Sequence, residues 1–236
     1  MSAAEERLAD DPTSELWGEH RARYRYTLQW AAGQRVLDIA CGAGFGLRML
    51  RDAGSCAVGM DYDFPALRGH DHVACADAAC LPVRDATFDL IVSFETLEHV
   101  PNARAMLREL RRVLRPGGRL VLSTPNRDFR ITTNPFHVQE FTAEELRALL
   151  RESFAEVCIH GQYPPAPYRF VPFLMQQPHW DAREVAWKVL NRLPYPVKNR
   201  LAYVLSGQPW YPDETAYRFA PDEFRGAHAL LAVARC

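Results

Sequence analysis

Short apolar runs recur along the chain from position 36, and between them apolar residues return at helical spacing. Runs at 36–39, 56–60, 73–76, 88–93, 119–124, 154–160 and 229–235 predict seven strands. The run at 88–93 is apolar almost throughout, as in a strand buried on both faces of a parallel sheet. Helices are predicted at 47–53, stopped by Gly54, and at 103–114, where Leu107, Leu110, Val113 and Leu114 form one stripe. Pro116-Gly117-Gly118 closes the second of these. Thr142 with Glu145 three residues later predicts a capping box at the head of another helix. The alternation predicts an α/β, Rossmann-like doubly wound sheet of seven mostly parallel strands in a single domain, 1–236.

The stretch 161–212 breaks this rhythm. It holds nine of the seventeen prolines and three of the five tryptophans. Inside it, 181–193 reads as an amphipathic helix with Val185, Val189, Leu190 and Leu193 on one side. Its place between the last two strands predicts an insertion that caps the strand ends and walls a substrate. Arg183, Lys188, Arg192, Lys198 and Arg200 interleave with Trp187, Leu190, Leu193 and Tyr195, which is also the make-up of a membrane-surface helix. A core-packing helix with a solvated basic face is the preferred reading, so membrane association is compatible but not favoured.

The balance of 28 basic against 29 acidic residues gives a net charge of −1 and no bulk attraction for nucleic acid. The N-terminal residues are polar and lack the apolar stretch of a signal peptide. The six cysteines are scattered, with no C-x-x-C pair and no disulfide framework, so a reduced, cytoplasmic protein is expected. His70-Asp71-His72 reads as solvated loop, and no metal site is expected.

The most specific chemistry lies at 36–46, which read VLDIACGAGFG. A strand ends in Asp38, and Gly42, Gly44 and Gly46 follow at alternate positions. Glycines there let a ligand approach the backbone, and a helix start aims its N–H groups above the sheet. The spacing G-x-G-x-G differs from the dinucleotide pattern G-x-G-x-x-G. A carboxylate four residues before the first glycine suits a cationic ligand better than a phosphate. Asp38, Asp61, Asp77 and Glu95 all fall at or just after predicted strand ends, where ligands bind in such sheets.

D-x-x-x-G-x-G-x-G resembles the first motif of class I S-adenosylmethionine-dependent methyltransferases. Gly59-Met60-Asp61 resembles their second motif, Asp77-Ala78 with Leu81-Pro82-Val83 the third, Phe88 to Val100 the fourth, and Arg112 to Gly118 the fifth. The resemblance implies S-adenosylmethionine as cofactor. It implies that Asp38, Ala40, Gly42 and Gly44 line the methionine part, that Asp61 accepts from the ribose hydroxyls, that Tyr62 packs on adenine, and that Asp77 and Ala78 bond its edge. Glu95 is expected near the sulfonium and the acceptor. Singly, each acid could equally be a strand-end or helix cap. Ser123 to Asn126 and Asn134 to Thr142 resemble a subgroup met beside sugar and natural-product pathways. Glu19 to Tyr24 also resembles that subgroup, in which a leading helix, here within 1–34, closes over the cofactor and brings Tyr24 to it.

A small-molecule acceptor is implied, most simply a hydroxyl or amine of a sugar or glycosylated metabolite. A lipid-linked or phenolic acceptor at a membrane surface is the alternative, and a non-catalytic cofactor-binding regulator is the alternative of another class. A hydroxyl acceptor calls for a positioned base, and imidazole titrates near working pH. His137, Glu95 and His99 are the catalytic candidates, with Asn134, His137 and Glu140 facing the substrate. His137 could instead order its own loop, and Glu140 could fix it or pair with Arg127. A nucleic-acid substrate is not expected, since no Asn/Asp-Pro-Pro-Tyr/Phe motif follows the fourth strand. The oligomer is expected to be a monomer or homodimer.

Overall fold

The computed structural model describes residues 14, 16–129, 134–165, 193–206 and 209–236. The strands are β1 (Arg35–Ile39), β2 (Cys56–Asp61), β3 (Val73–Cys75), β4 (Phe88–Phe94), β5 (Leu114–Pro125), β6 (Glu156–Tyr163), β7 (Arg218–Pro221) and β8 (Ala229–Arg235). The helices are α1 (Trp17–Thr27), α2 (Phe45–Asp52), α3 (Ala103–Val113), α4 (Ala143–Arg151) and α5 (Tyr195–Ser206). The predicted helix at 181–193 lies almost wholly outside the described residues.

One sheet runs in the order β3-β2-β1-β4-β5-β8-β6-β7. From β3 to β5 the strands pair in parallel. β8 pairs antiparallel with both β5 and β6, and β7 antiparallel with β6. Among the described residues the sheet has eight strands, not the seven expected. The extra one, β7, has four residues on the sheet edge, from Arg218 to Pro221. Its pairing with β6 and not its own composition makes it a strand, and proline at an edge costs no ladder bond. β6 also runs on to Tyr163, so the stretch expected to form an insertion from 161 contributes its first residues to the sheet.

Strand residues alternate between two cores. Val36, Leu90, Val92, Val121 and Leu231 pack with Tyr24 of α1 and Phe45, Leu47 and Leu50 of α2. Leu37, Ile39, Ile91, Leu120 and Leu122 pack with Leu107 and Leu110 of α3 and Leu146 and Leu150 of α4. Helices therefore cover both faces, as the near-continuous apolar strands require. By the same alternation Asp38 points to the α1–α2 side. The strand order reverses between β1 and β4, so the crevice beyond their carboxyl ends is where a ligand is received in such a sheet.

Helix α4 opens on the capping box the sequence predicts. The Thr142 hydroxyl accepts from the Glu145 N–H at 3.2 Å, and the Glu145 carboxylate accepts from the Thr142 N–H at 2.9 Å. Both bonds satisfy donors that the helix leaves open. Thr142→Ala should lower unfolding free energy by about 1 kcal/mol in a urea titration, with an unchanged denaturant slope. No shift in midpoint would show the box to be dispensable.

Candidate active site

The turn after β1 is shaped by three positive-φ residues, Ala40 (59°), Gly42 (51°) and Gly44 (72°). Ala40 pays for this conformation with strain, of a kind that collects at ligand sites. At Gly42 no heavy atom lies within 4 Å of where a Cβ would stand, so the turn is open above it. Gly46 has the opposite surroundings. A Cβ there would lie 1.9 Å from the Tyr24 ring, so only glycine lets α1 close on α2.

Tyr24 reaches Asp38 through that gap. Its hydroxyl lies 3.1 and 3.2 Å from the two carboxylate oxygens. Asp38 is fully buried, and burial pushes its carboxyl up to about 8, with the Tyr24 bond lowering it and the charge of Asp61 adding to the rise. Tyr24 and Asp38 therefore sit as a buried pair under the turn. Asp61, at the end of β2, braces the turn from the side. Its Oδ2 accepts from the Gly42 N–H and its Oδ1 from the Asp63 N–H, both at 2.9 Å. Tyr62 beside it is 79% exposed, an aromatic face left to solvent.

Asp77 closes its own turn, accepting from the Ala79 N–H at 2.8 Å, and Ala78 packs against the α3–α4 core. His70, expected in solvated loop, instead lies over the glycine turn, its Nδ1 3.5 Å from where a Gly44 Cβ would stand.

Past β4, Glu95 adopts φ 50° and turns its carboxylate back to β5. Its Oε1 accepts from the Ser123 hydroxyl at 2.8 Å and lies 3.1 Å from Nη1 of Arg23. Arg23 is 1% exposed and donates from Nε to Gln162 at 2.7 Å and from Nη2 to Glu19. Sequence reading passed over Arg23, because a surface helix predicts a solvated arginine. It also missed Glu98, which is wholly buried and accepts from the Thr124 hydroxyl at 2.9 Å. Burial, then the Glu95 carboxylate nearby, pushes Glu98 well above the usual carboxylate range.

His99 and His137 meet edge to face, with ring centroids 4.8 Å apart. The loop carrying His137 is stitched to the turn after β4. Val138 and Gln139 N–H groups donate to the Glu98 carbonyl at 2.9 and 3.3 Å, and the Gln139 side chain donates to the Val100 carbonyl at 2.8 Å. Glu140 fixes His137 through Nδ1 at 2.9 Å, while Arg127 pairs with Glu145. Asn134 lies 3.0 Å from Nε2 of His137. The structure thus brings Asn134, His137, Glu140 and His99 into one group, with Glu95 and Glu98 on the same β4 turn.

Asp38 predicts a pH dependence whose sign follows from its shift. Unfolded, it releases its proton near 3.8; folded, it holds it to about 8. Between those values the folded chain binds more protons than the unfolded one, so this group's contribution falls as pH rises. Ligand-free protein should lose stability relative to Asp38→Asn from about pH 4 to 8, read as diverging thermal midpoints. Parallel curves for the two proteins would refute the buried acid.

Residues 37–122 match the family model described as a methyltransferase domain. A probable S-adenosylmethionine-dependent methyltransferase of Mycolicibacterium smegmatis is 36% identical over 155 residues, covering 58% of this chain and 58% of that protein. A ubiquinone biosynthesis O-methyltransferase of Coxiella burnetii is 32% identical over 108 residues, covering 42% of this chain and 46% of its own length. The chain thus spans about half the length of these curated relatives. Among solved structures, a Thermotoga maritima protein described as an S-adenosylmethionine-dependent methyltransferase and possible histamine N-methyltransferase superposes with TM-score 0.60 over 92% of this chain and 88% of that one, at 16% identity. At that identity the likeness concerns the fold. Residues 37–122 are thus similar to the methyltransferase-domain family, and the sheet order agrees with the fold of the solved methyltransferase structures.

Proposed function

We propose that this chain transfers a methyl group from S-adenosylmethionine to a hydroxyl of a small-molecule acceptor. The observation that carries the proposal is the open space over Gly42, in a turn that the buried Asp38 underlies and Asp61 braces. A concave backbone with acids around it and no basic side chain in the turn suits a ligand bearing ammonium and sulfonium charge and no phosphate. The residues therefore fit the cofactor. Asp61 would take the ribose hydroxyls, the exposed Tyr62 the adenine face, and the turn with Asp38 the methionine end. Bound there, the cofactor supplies a methyl already activated on sulfur.

The protein's own share is then positioning and exclusion of water. Glu95 is held by Arg23 and Ser123 and so keeps one orientation at the rim. The His99–His137–Glu140 group offers polar atoms to a hydroxyl on the acceptor side. Tyr24, with its ring against Phe45 and Phe94, seals the floor from solvent. The segment 161–212, most of it outside the described residues, is the proposed wall on the acceptor side.

The O-methyltransferase relative supports a hydroxyl acceptor. Its name favours a phenolic ring over the sugar that the resemblance of Asn134 to Thr142 implies. Labelled-methyl transfer to phenols and quinols, run beside nucleotide sugars and amines, separates these. Label in neither hydroxyl class, with label in an amine, would refute the hydroxyl reading. A protein that binds cofactor and labels nothing would be the non-catalytic regulator.

Cofactor binding is testable before the acceptor is known. Calorimetry should give micromolar affinity for S-adenosylhomocysteine, roughly −8 kcal/mol. Asp61→Ala should weaken it at least tenfold, about 1.4 kcal/mol. Asp63→Ala should change it little, because the Asp63 backbone N–H that bonds Asp61 survives the substitution. Equal losses in both variants would remove Asp61 from the site.

A further inference from the structure

We propose that Glu98, His99 and His137 form a binding site for a divalent first-row transition-metal cation, of the zinc class, beside the methyl-transfer site. One potential ligand atom from each residue lies within 4.8 Å of those of the other two. A cation with ligands at about 2.0–2.2 Å holds them about 3.5 Å apart. Side-chain rotations of about an ångström close that gap. Two imidazole nitrogens and one carboxylate oxygen are a donor set for zinc or iron(II), and leave coordination positions open. Magnesium, which takes oxygen ligands, is a poor match.

Three independent details point the donor atoms the right way. His99 Nδ1 lies 3.2 Å from the Phe136 carbonyl, which can only accept, so the proton sits on Nδ1 and the lone pair on Nε2. His137 Nδ1 lies 2.9 Å from the Glu140 carboxylate, which puts its lone pair on Nε2 as well. The Asn134 carbonyl accepts from the Phe136 N–H at 2.9 Å, so its amide NH₂ faces Nε2 of His137 at 3.0 Å. A donor already occupies the place where a cation would approach, and the amide would give way to it. A carboxylate or carbonyl behind each ligating histidine is the usual arrangement at metal sites.

Glu98 adds a separate observation. Oε2 accepts from Thr124, while Oε1 is buried and has no hydrogen-bond partner. A buried carboxylate oxygen without a partner is costly and rare. Metal ligation satisfies it. Backbone bonds from Val138 and Gln139 to the Glu98 carbonyl hold the two halves of the site together.

Given the hydroxyl-acceptor reading, an open coordination position would receive the acceptor oxygen and ease loss of its proton to water. The test does not depend on that reading. Full-length protein without a histidine tag is stripped with chelator, and Zn²⁺, Co²⁺ and Mg²⁺ are titrated in calorimetry without cofactor. One equivalent of Zn²⁺ should bind at micromolar affinity or tighter, and Mg²⁺ at least a hundredfold more weakly. His137→Ala and Glu98→Gln should each weaken Zn²⁺ binding at least tenfold, with S-adenosylhomocysteine binding as the check that the variants are folded. If a variant fails to fold, the wild-type Co²⁺ spectrum decides. Visible bands without sulfur-to-metal charge transfer support the site. Thiolate bands implicate one of the six free cysteines and overturn it. Zn²⁺ affinity unchanged by His137→Ala, or no binding at millimolar metal, also overturns it. Metal binding without methyl transfer to any hydroxyl would refute the acceptor reading and leave the site standing.

Discussion

Arg23 is the residue on which the site's geometry depends. It is buried to 1% exposure and joins four elements: Glu19 on its own helix, Gln162 on β6, and Glu95 after β4, which in turn bonds Ser123 on β5. Losing one partner of a buried ion pair typically costs about 3–5 kcal/mol. The helix that carries Arg23 cannot slide without leaving that charge unpaired. Tyr24, the next residue, is thereby fixed against Asp38 and against Gly46. One turn of α1 thus sets both the floor of the glycine turn and the direction of Glu95.

A second constraint is the crowding of negative charge. Asp38, Asp61, Glu95 and Glu98 stand at the ends of three adjacent strands, and Arg23 pairs with Glu95 among them. Two of them respond as buried carboxyls do. Asp38 is pushed to about 8 and Glu98 well above its usual range, both chiefly through burial, with a neighbouring acid adding to the rise. Such an arrangement stores unfavourable energy that a cationic ligand relieves. Alone, the helix dipole of α2 would favour an anion there.

Much of the fold was legible because each apolar run is short and bounded by glycine or acid, and because β4 and β5 are apolar on both faces. The capping box at Thr142 was legible for the same local reason. β7 was not, since its strand character comes from β6 and not from its own four residues. In the site, Asp38, the glycines and Asp61 could be placed by spacing. Tyr24 could be named but not its partner, because an aromatic ring next to a glycine turn reads as a ligand contact until packing shows Gly46 beneath it. Arg23 carries no local signal, and Glu98 lies inside the fourth motif with no sign there of its burial: a lone charge in a helix or a turn reads as solvated, and only long-range contacts bury it.

The pairing of His99 with His137 belongs to that last kind. Thirty-eight positions separate them, and no sequence spacing predicts their meeting. What joins them is backbone chemistry, the N–H groups of Val138 and Gln139 on the Glu98 carbonyl. A general base at His137 and a cation at His137 make the same demand on its tautomer, a lone pair on Nε2 with Glu140 behind Nδ1. Glu98 has no part in the first role. A base needs no second imidazole turned edge-on to it and no buried oxygen left without a donor. A cation between the three side chains would use both features together.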